Sequence, residues 1–212
     1  FTFSIMMALI AMHGIFMFKF FPKNPSHEQQ HQEKSSWQSL FLNHINLAYL
    51  VCSGILGGTS NFLFLSHSSY IYIVKFETSR LLYGYLFSVV GITYMLGCFL
   101  FPFASKKTSI LKAIIFGHIL IFLSMLLICA MNIFDVLNAA TFTIFAALAH
   151  FGSGFLLTGS IIGLMSNPKL ATEQVIGVYG CAKFILPAIF GWVSMTYGAS
   201  LFAMSASTMI LS

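Results

Sequence analysis

The chain has 212 residues, 58% of them hydrophobic and only 7% charged, with a mean hydropathy of +0.89. A water-soluble domain carries about 25% charged residues, so this chain has too few charges to cover the surface of a soluble fold. Its net charge of +5 does not point to nucleic acid, because basic residues in short loops between apolar runs report membrane orientation instead.

A helix needs about 20 apolar residues to cross a lipid hydrocarbon core. Residues 81–105 and 113–134 each run without Asp, Glu, Lys or Arg. A membrane barrel would show ~10-residue segments of alternating hydrophobicity, and these runs are too long and too continuously apolar for that. The expected fold class is an all-α membrane protein.

In chain order, residues 1–21 form a first apolar span. Residues 22–42 then change character, and from Pro22 to Ser35 there is no large aliphatic side chain. Such a segment cannot bury a core and reads as a linker. His27 and His31 lie four apart within it, but no third strong ligand accompanies them, so a solvated linker accounts for them better than a metal site. A second span runs from about residue 44 to 74, which is longer than a bilayer requires. Ser66, His67, Ser68 and Ser69 are the expected weak point, because hydroxyls there compete for backbone groups. Further spans are expected at 81–104, 109–132, 137–166 and 173–196, and a last one begins near residue 200.

The links between these spans are short, so neighbouring helices run antiparallel and each link changes sides. Lys19, Lys23, Lys34, Lys106, Lys107, Lys112 and Lys169 then fall on one side, and Lys75 and Arg80 on the other. Seven basic residues against two make the 22–42 linker cytoplasmic. The chain opens at Phe1 with an apolar run under way and ends at Ser212 inside another. This reading makes it a piece of a larger protein: one span (1–21), a linker (22–42) and a six-span unit (43–212) whose last span is cut short. Many transporters consist of two six-span halves joined in this way.

Three stretches carry a family resemblance: Leu65-Ser66-His67-Ser68-Ser69-Tyr70-Ile71-Tyr72-Ile73; residues 88–100 followed by Lys106-Lys107; and Phe151-Gly152-Ser153-Gly154-Phe155-Leu156 with Gly177-Val178-Tyr179-Gly180. Together they resemble the C-terminal half of a major facilitator superfamily transporter, and more narrowly the Bcr/CflA drug-resistance efflux subfamily. The resemblance implies a twelve-span secondary transporter of the bacterial inner membrane. It would export small amphipathic molecules against a proton gradient by alternating access. The partners implied are the lipid bilayer, an N-terminal six-span half, the substrate and the proton. The chain departs from the family at Thr158-Gly159, where Pro-Asn is usual, and in carrying a lysine, Lys183, in the eleventh span. The alternatives are a transporter of the same superfamily for another substrate class, or a complete small seven-span protein acting as receptor or scaffold.

Charges inside apolar spans are the informative residues. Lys183 falls near the midplane of its span and reads as a substrate or ion contact, or as a lysine paired with a polar neighbour. His150 also lies mid-span and reads as a proton relay, or as a histidine bonded to its own helix. Asn61, beside Thr59 and Ser60, reads as a ligand contact or as helix–helix glue. His67 and His118 are further pathway candidates. Gly54 and Gly58, Gly152 and Gly154, Gly159 and Gly163, and Gly177 and Gly180 are expected to let helices approach closely, and Pro187 to kink its span. The four cysteines lie in apolar runs without paired spacing and read as small hydrophobes. No nucleophile–base set, phosphate loop, metal cluster or cofactor motif is present, so no enzyme is expected.

Overall fold

The computed structural model describes residues 43–51, 57–167 and 172–196. The expected first span, the polar 22–42 segment, Gly54 and the run from residue 200 onward lie outside the described residues. Every element described is helical: α1 (His44–Val51), α2 (Thr59–Ser69), a π-helical segment (Tyr70–Lys75), α3 (Arg80–Lys107), α4 (Ile110–Ile133), α5 (Ala139–Met165) and α6 (Thr172–Thr196). Helices α3, α4 and α5 are each long and apolar enough to cross a membrane. The ends of α3 to α6 fall within three residues of the boundaries expected from the charge-free runs.

Local chemistry sets where these helices begin. The Ser79 and Ser109 hydroxyls accept hydrogen bonds from the backbone N–H groups of Leu82 and Lys112, each at 3.2 Å. Each satisfies a donor that the first helical turn leaves unpaired. Asn138 and Thr141 form a reciprocal capping box at the start of α5. The turns before α3 and α5 pass through Glu77 (φ 51°) and Asp135 (φ 56°), in the left-handed region that stops a helix from propagating.

The turns sort to two ends. Lys75 Nζ donates to Asn132 Oδ1 at 2.6 Å, which joins the turn after the π-helical segment to the end of α4. Asn167 Nδ2 donates to Asn46 Oδ1 at 3.3 Å, which joins the end of α5 to α1. The run from α1 to the π-helical segment therefore passes from one end to the other, and α3, α4 and α5 then alternate in direction, as short links require.

Helix α5 is the centre of the described unit. The buried share of its most apolar window is 67%, against 33% for α4 and 17% for α3. Glycines make this packing possible. A Cβ on Gly152 would stand 2.6 Å from the Gly117 carbonyl oxygen of α4, and one on Gly154 would stand 2.7 Å from the Tyr94 carbonyl oxygen of α3. Nearer one end, Gly159 packs against Phe101 and Ile114, and Gly163 against the Tyr49 ring. Toward the other end, aromatic rings fill the interior. Tyr72 meets Phe142 edge-on at 5.3 Å and Tyr83 at 5.6 Å, and Phe64 stacks on Phe87 at 5.7 Å.

One expectation needs correction. Ser66, His67, Ser68 and Ser69 do not break the long second span; they stay α-helical. Ser66 Oγ donates to the Phe62 carbonyl at 2.8 Å, and His67 Nδ1 meets the Leu63 carbonyl at 3.0 Å, so these side chains fold back onto their own helix rather than opening it. The change of winding comes one residue later, at Tyr70, where the ladder widens to the π pattern and ends with Phe76 N–H on Ile71 O at 3.0 Å. Gly177 and Gly180 are seated against no described helix. Among the described residues nothing stands within 4 Å of where their Cβ atoms would be. They lie on a face of α6 that α2 and α5 do not cover, and helical spacing by itself does not tell a covered face from an open one.

Candidate functional site

Four helices, α2, α3, α5 and α6, line a half-open cavity of about 340 Å³. Most of its wall is apolar and aromatic, including Phe62, Phe64, Phe87 and Phe184. Three of the five pathway candidates line it together: Asn61 from α2, His150 from α5 and Lys183 from α6. His67 does not. It is buried and bonded through Nδ1 to the Leu63 carbonyl of its own helix. His118, on α4, lies away from the cavity, and its Nδ1 is buried without a hydrogen-bond partner.

The local geometry of each lining residue follows from its helix. Lys183 is the twelfth of the 25 residues of α6, roughly 16 Å from the start at 1.5 Å per residue, and so near mid-helix. Its ammonium lies 5.8 Å from the centroid of the Phe184 ring, within cation–π range. Lys183 forms no ion pair among the described residues. His150 is the twelfth residue of the 27-residue α5. Its Nδ1 lies 2.8 Å from the Ala146 carbonyl. A carbonyl oxygen only accepts, so Nδ1 carries the proton of this bond and Nε2 is left as the acceptor nitrogen. The ring sits edge-on to Phe64 at 4.5 Å, which holds its orientation. Asn61 Nδ2 donates to the Gly57 carbonyl at 3.0 Å, which leaves the side-chain oxygen for another partner.

The residues beside Asn61 behave differently. Thr59 and Ser60 are buried, and their hydroxyls have no hydrogen-bond partner among the described residues. Ser153 and Ser160 on α5 share that condition. Gly58 is buried at the cavity wall, and Gly57 beside it receives Leu157 of α5 with side-chain atoms 3.0 Å from its would-be Cβ. Tyr179 O–H donates to the Leu157 carbonyl at 2.7 Å and so fixes α6 against α5 below Lys183. Helix α6 continues through Pro187.

Sequence reasoning overlooked Tyr94, a cavity residue near the middle of α3. A hydroxyl-tipped aromatic in mid-span was the available signal. It also passed over Gly97 and Gly117, which oppose Gly154 and Gly152. Each lies within a neighbouring apolar run, where a small residue opposite a known pair marks a crossing point.

Chemically, the arrangement offers one cation, one imidazole and one amide inside an apolar chamber between helices. It holds no nucleophile–base pair, and among the described residues no three His, Cys, Asp or Glu side chains gather as metal ligands. Cys98, Cys129 and Cys181 are free thiols. No protein-family model matches the chain, and no curated protein or solved structure matches it.

Proposed function

We propose that the chain is the C-terminal part of a twelve-span secondary transporter of the major facilitator type, which exports small amphipathic molecules across the bacterial inner membrane in exchange for protons. The observation that carries this reading is the convergence of Asn61, His150 and Lys183 on one cavity between four helices. Polar and ionisable groups are costly within the membrane and mark substrate or ion pathways there. Substrate sites of such transporters lie near the midplane between helices, where Lys183 and His150 sit along their helices. The resemblance in residues 65–73, in 88–100 with Lys106-Lys107, and in 151–156 with 177–180 supports the same class.

In this reading the 22–42 segment is the cytoplasmic linker between the two halves, and Lys106, Lys107 and Lys112 face the cytoplasm. The exposed apolar side chains of α3, such as Leu81, Tyr85, Met95 and Phe99, face lipid or the N-terminal half. The mechanism is alternating access, in which the two halves rock about the cavity and the proton gradient supplies the energy. His150 is the group of the cavity suited to carry a proton.

The test is accumulation. The complete gene is expressed in a bacterial host stripped of its main exporters, and the cell content of a panel of lipophilic fluorescent compounds is followed with and without a protonophore. Lowered content of at least one compound, restored by the protonophore, is expected. Unchanged content of every compound at good membrane abundance would sink the reading.

A further inference from the structure

We infer that the cavity recognises an organic anion: a carboxylate or sulfonate joined to a flat apolar body, with Lys183 as the counter-charge. This inference rests on the transport reading for the purpose of the site, but its test is a binding measurement, so the two can fail separately.

The charge inventory of the chain carries the argument. Lys183 is the only Lys, Arg, Asp or Glu among the residues that line the cavity. The chain has five acidic residues, and none of the three among the described residues lines the cavity. Glu28 and Glu33 belong to the polar 22–42 stretch. Glu77 and Asp135 stand in the turns at one end of the unit. Glu173 is in the first turn of α6, ten residues before Lys183 and so about 15 Å away along the helix. A lysine held at such depth calls for a negative partner, and the chain's own spans supply none.

The remaining lining describes the rest of the ligand. Phe62, Phe64, Phe87, Tyr94 and Phe184 give flat apolar faces, and the second N–H of Asn61 Nδ2 is a donor for an anion's second oxygen, while the His150 Nε2 suits a donor on the ligand's body. A volume of about 340 Å³ lies at the small end of small-molecule sites, which span roughly 300–1,000 Å³. An aryl or short-chain organic acid fits that space and that chemistry. Among the described lining residues a cation would meet Lys183 and no carboxylate.

The experiment compares two probes that differ in one charge. Dansylglycine carries a carboxylate, and dansylglycinamide is its neutral twin. Each is titrated by fluorescence into the purified whole protein in detergent. Dansylglycine is expected to bind at least about tenfold tighter, the factor that one charge-assisted hydrogen bond supplies. In Lys183→Met that preference should vanish through loss of dansylglycine affinity, with dansylglycinamide binding unchanged, which also shows that the variant is folded. Lys183→Arg should keep part of the preference. Equal affinity for both probes in the unaltered protein, or a preference that survives in Lys183→Met, would overturn the inference. If the Met variant binds neither probe, the Arg variant decides: a retained anion preference supports the inference and a lost one refutes it. Anion binding that depends on Lys183 in a protein that moves nothing across vesicles would end the transport reading and leave this one standing. Transport without any anion preference would do the reverse.

Discussion

Gly154 stands against Gly97 where α5 crosses α3, so closely that their backbones touch with no side chain between them. A Cβ on Gly154 would lie 2.7 Å from both the Cys98 nitrogen and the Tyr94 carbonyl oxygen, and 3.0 Å from the Gly97 carbonyl carbon. These are backbone atoms, which cannot swing aside, so any larger residue must push the helices apart. Gly154→Leu is therefore expected to destabilise the protein by well over the 1–3 kcal/mol typical of core overpacking. Because α3 and α5 also wall the cavity, probe binding should fall with it. Unfolding in mixed micelles, followed by circular dichroism against denaturing detergent, measures the effect; an unchanged midpoint would contradict the crossing.

Gly177 and Gly180 should behave in the opposite way. With nothing described within 4 Å of either added Cβ, Gly177→Ala and Gly180→Ala meet no clash. Alanine is a better helix former than glycine by roughly 0.8–1.0 kcal/mol. Each change should leave stability equal or slightly raised in the same assay. A marked loss would mean that this face of α6 is covered after all.

How far the sequence discloses this structure differs between these two glycine pairs. Span positions were readable because lipid imposes a simple rule: a charge-free run of sufficient length must be helical. Caps at Ser79, Ser109 and Asn138 then fix the helix starts. The side of a helix that packs is another matter. Gly152 and Gly177 both lie in glycine pairs in apolar helices, yet one touches Gly117 and the other no described residue. Lipid and protein interior are equally apolar, so the hydrophobic pattern that separates buried from exposed faces in water is absent here. For the same reason Asn61, His150 and Lys183 were recognisable as exceptional, while their convergence on one cavity was not. The polar character of His67 likewise carried no sign that its ring would turn back to Leu63.

The Tyr72 and Thr143 hydroxyls lie 2.7 Å apart and tie the π-helical segment to α5. Thr143 Oγ1 also donates to the Ala139 carbonyl at 2.6 Å, so its single proton is committed and Tyr72 is the donor of the pair. The two deletions are then unequal. Tyr72→Phe removes a donor and leaves Thr143 satisfied by Ala139, so it should cost little, about the 0.6 kcal/mol average for hydrogen bonds between membrane helices. Thr143→Val leaves the buried Tyr72 O–H without a partner and should cost more, on the order of 1–3 kcal/mol. Their double variant should be less destabilised than the sum, the signature of a direct pair. Strict additivity in detergent unfolding would show that the contact carries no energy.

His150 allows its structural and chemical roles to be separated. Glutamine at this position can still donate to a backbone carbonyl but cannot take up a proton in the physiological range. His150→Gln should therefore keep its membrane abundance and unfolding midpoint close to those of the unaltered protein. If His150 is the proton carrier of the cavity, export by that variant should become independent of an imposed pH gradient while facilitated exchange of substrate persists. Substrate flux in proteoliposomes, with and without a pH step, gives the readout. Full gradient-driven export by the Gln variant would reduce His150 to a packing residue held by Ala146 and Phe64.

Lys183 gives the sharpest transport prediction. Methionine nearly matches the length and flexibility of lysine and removes only the charge. The mid-helix position on α6, the cavity lining and the lack of an ion-pair partner among the described residues together make the charge costly to retain without a use. Lys183→Met is expected to insert as well as the unaltered protein or better, because the desolvation cost is gone, while export falls or shifts toward uncharged compounds. Lys183→Arg should restore only part of the original activity. A planar guanidinium spreads its charge over a fixed fork and does not reproduce the compact, three-donor ammonium. Vesicle transport measured at matched membrane abundance compares the three proteins. Unchanged rates and substrate range in the Met variant would return Lys183 to a purely structural role beside Phe184.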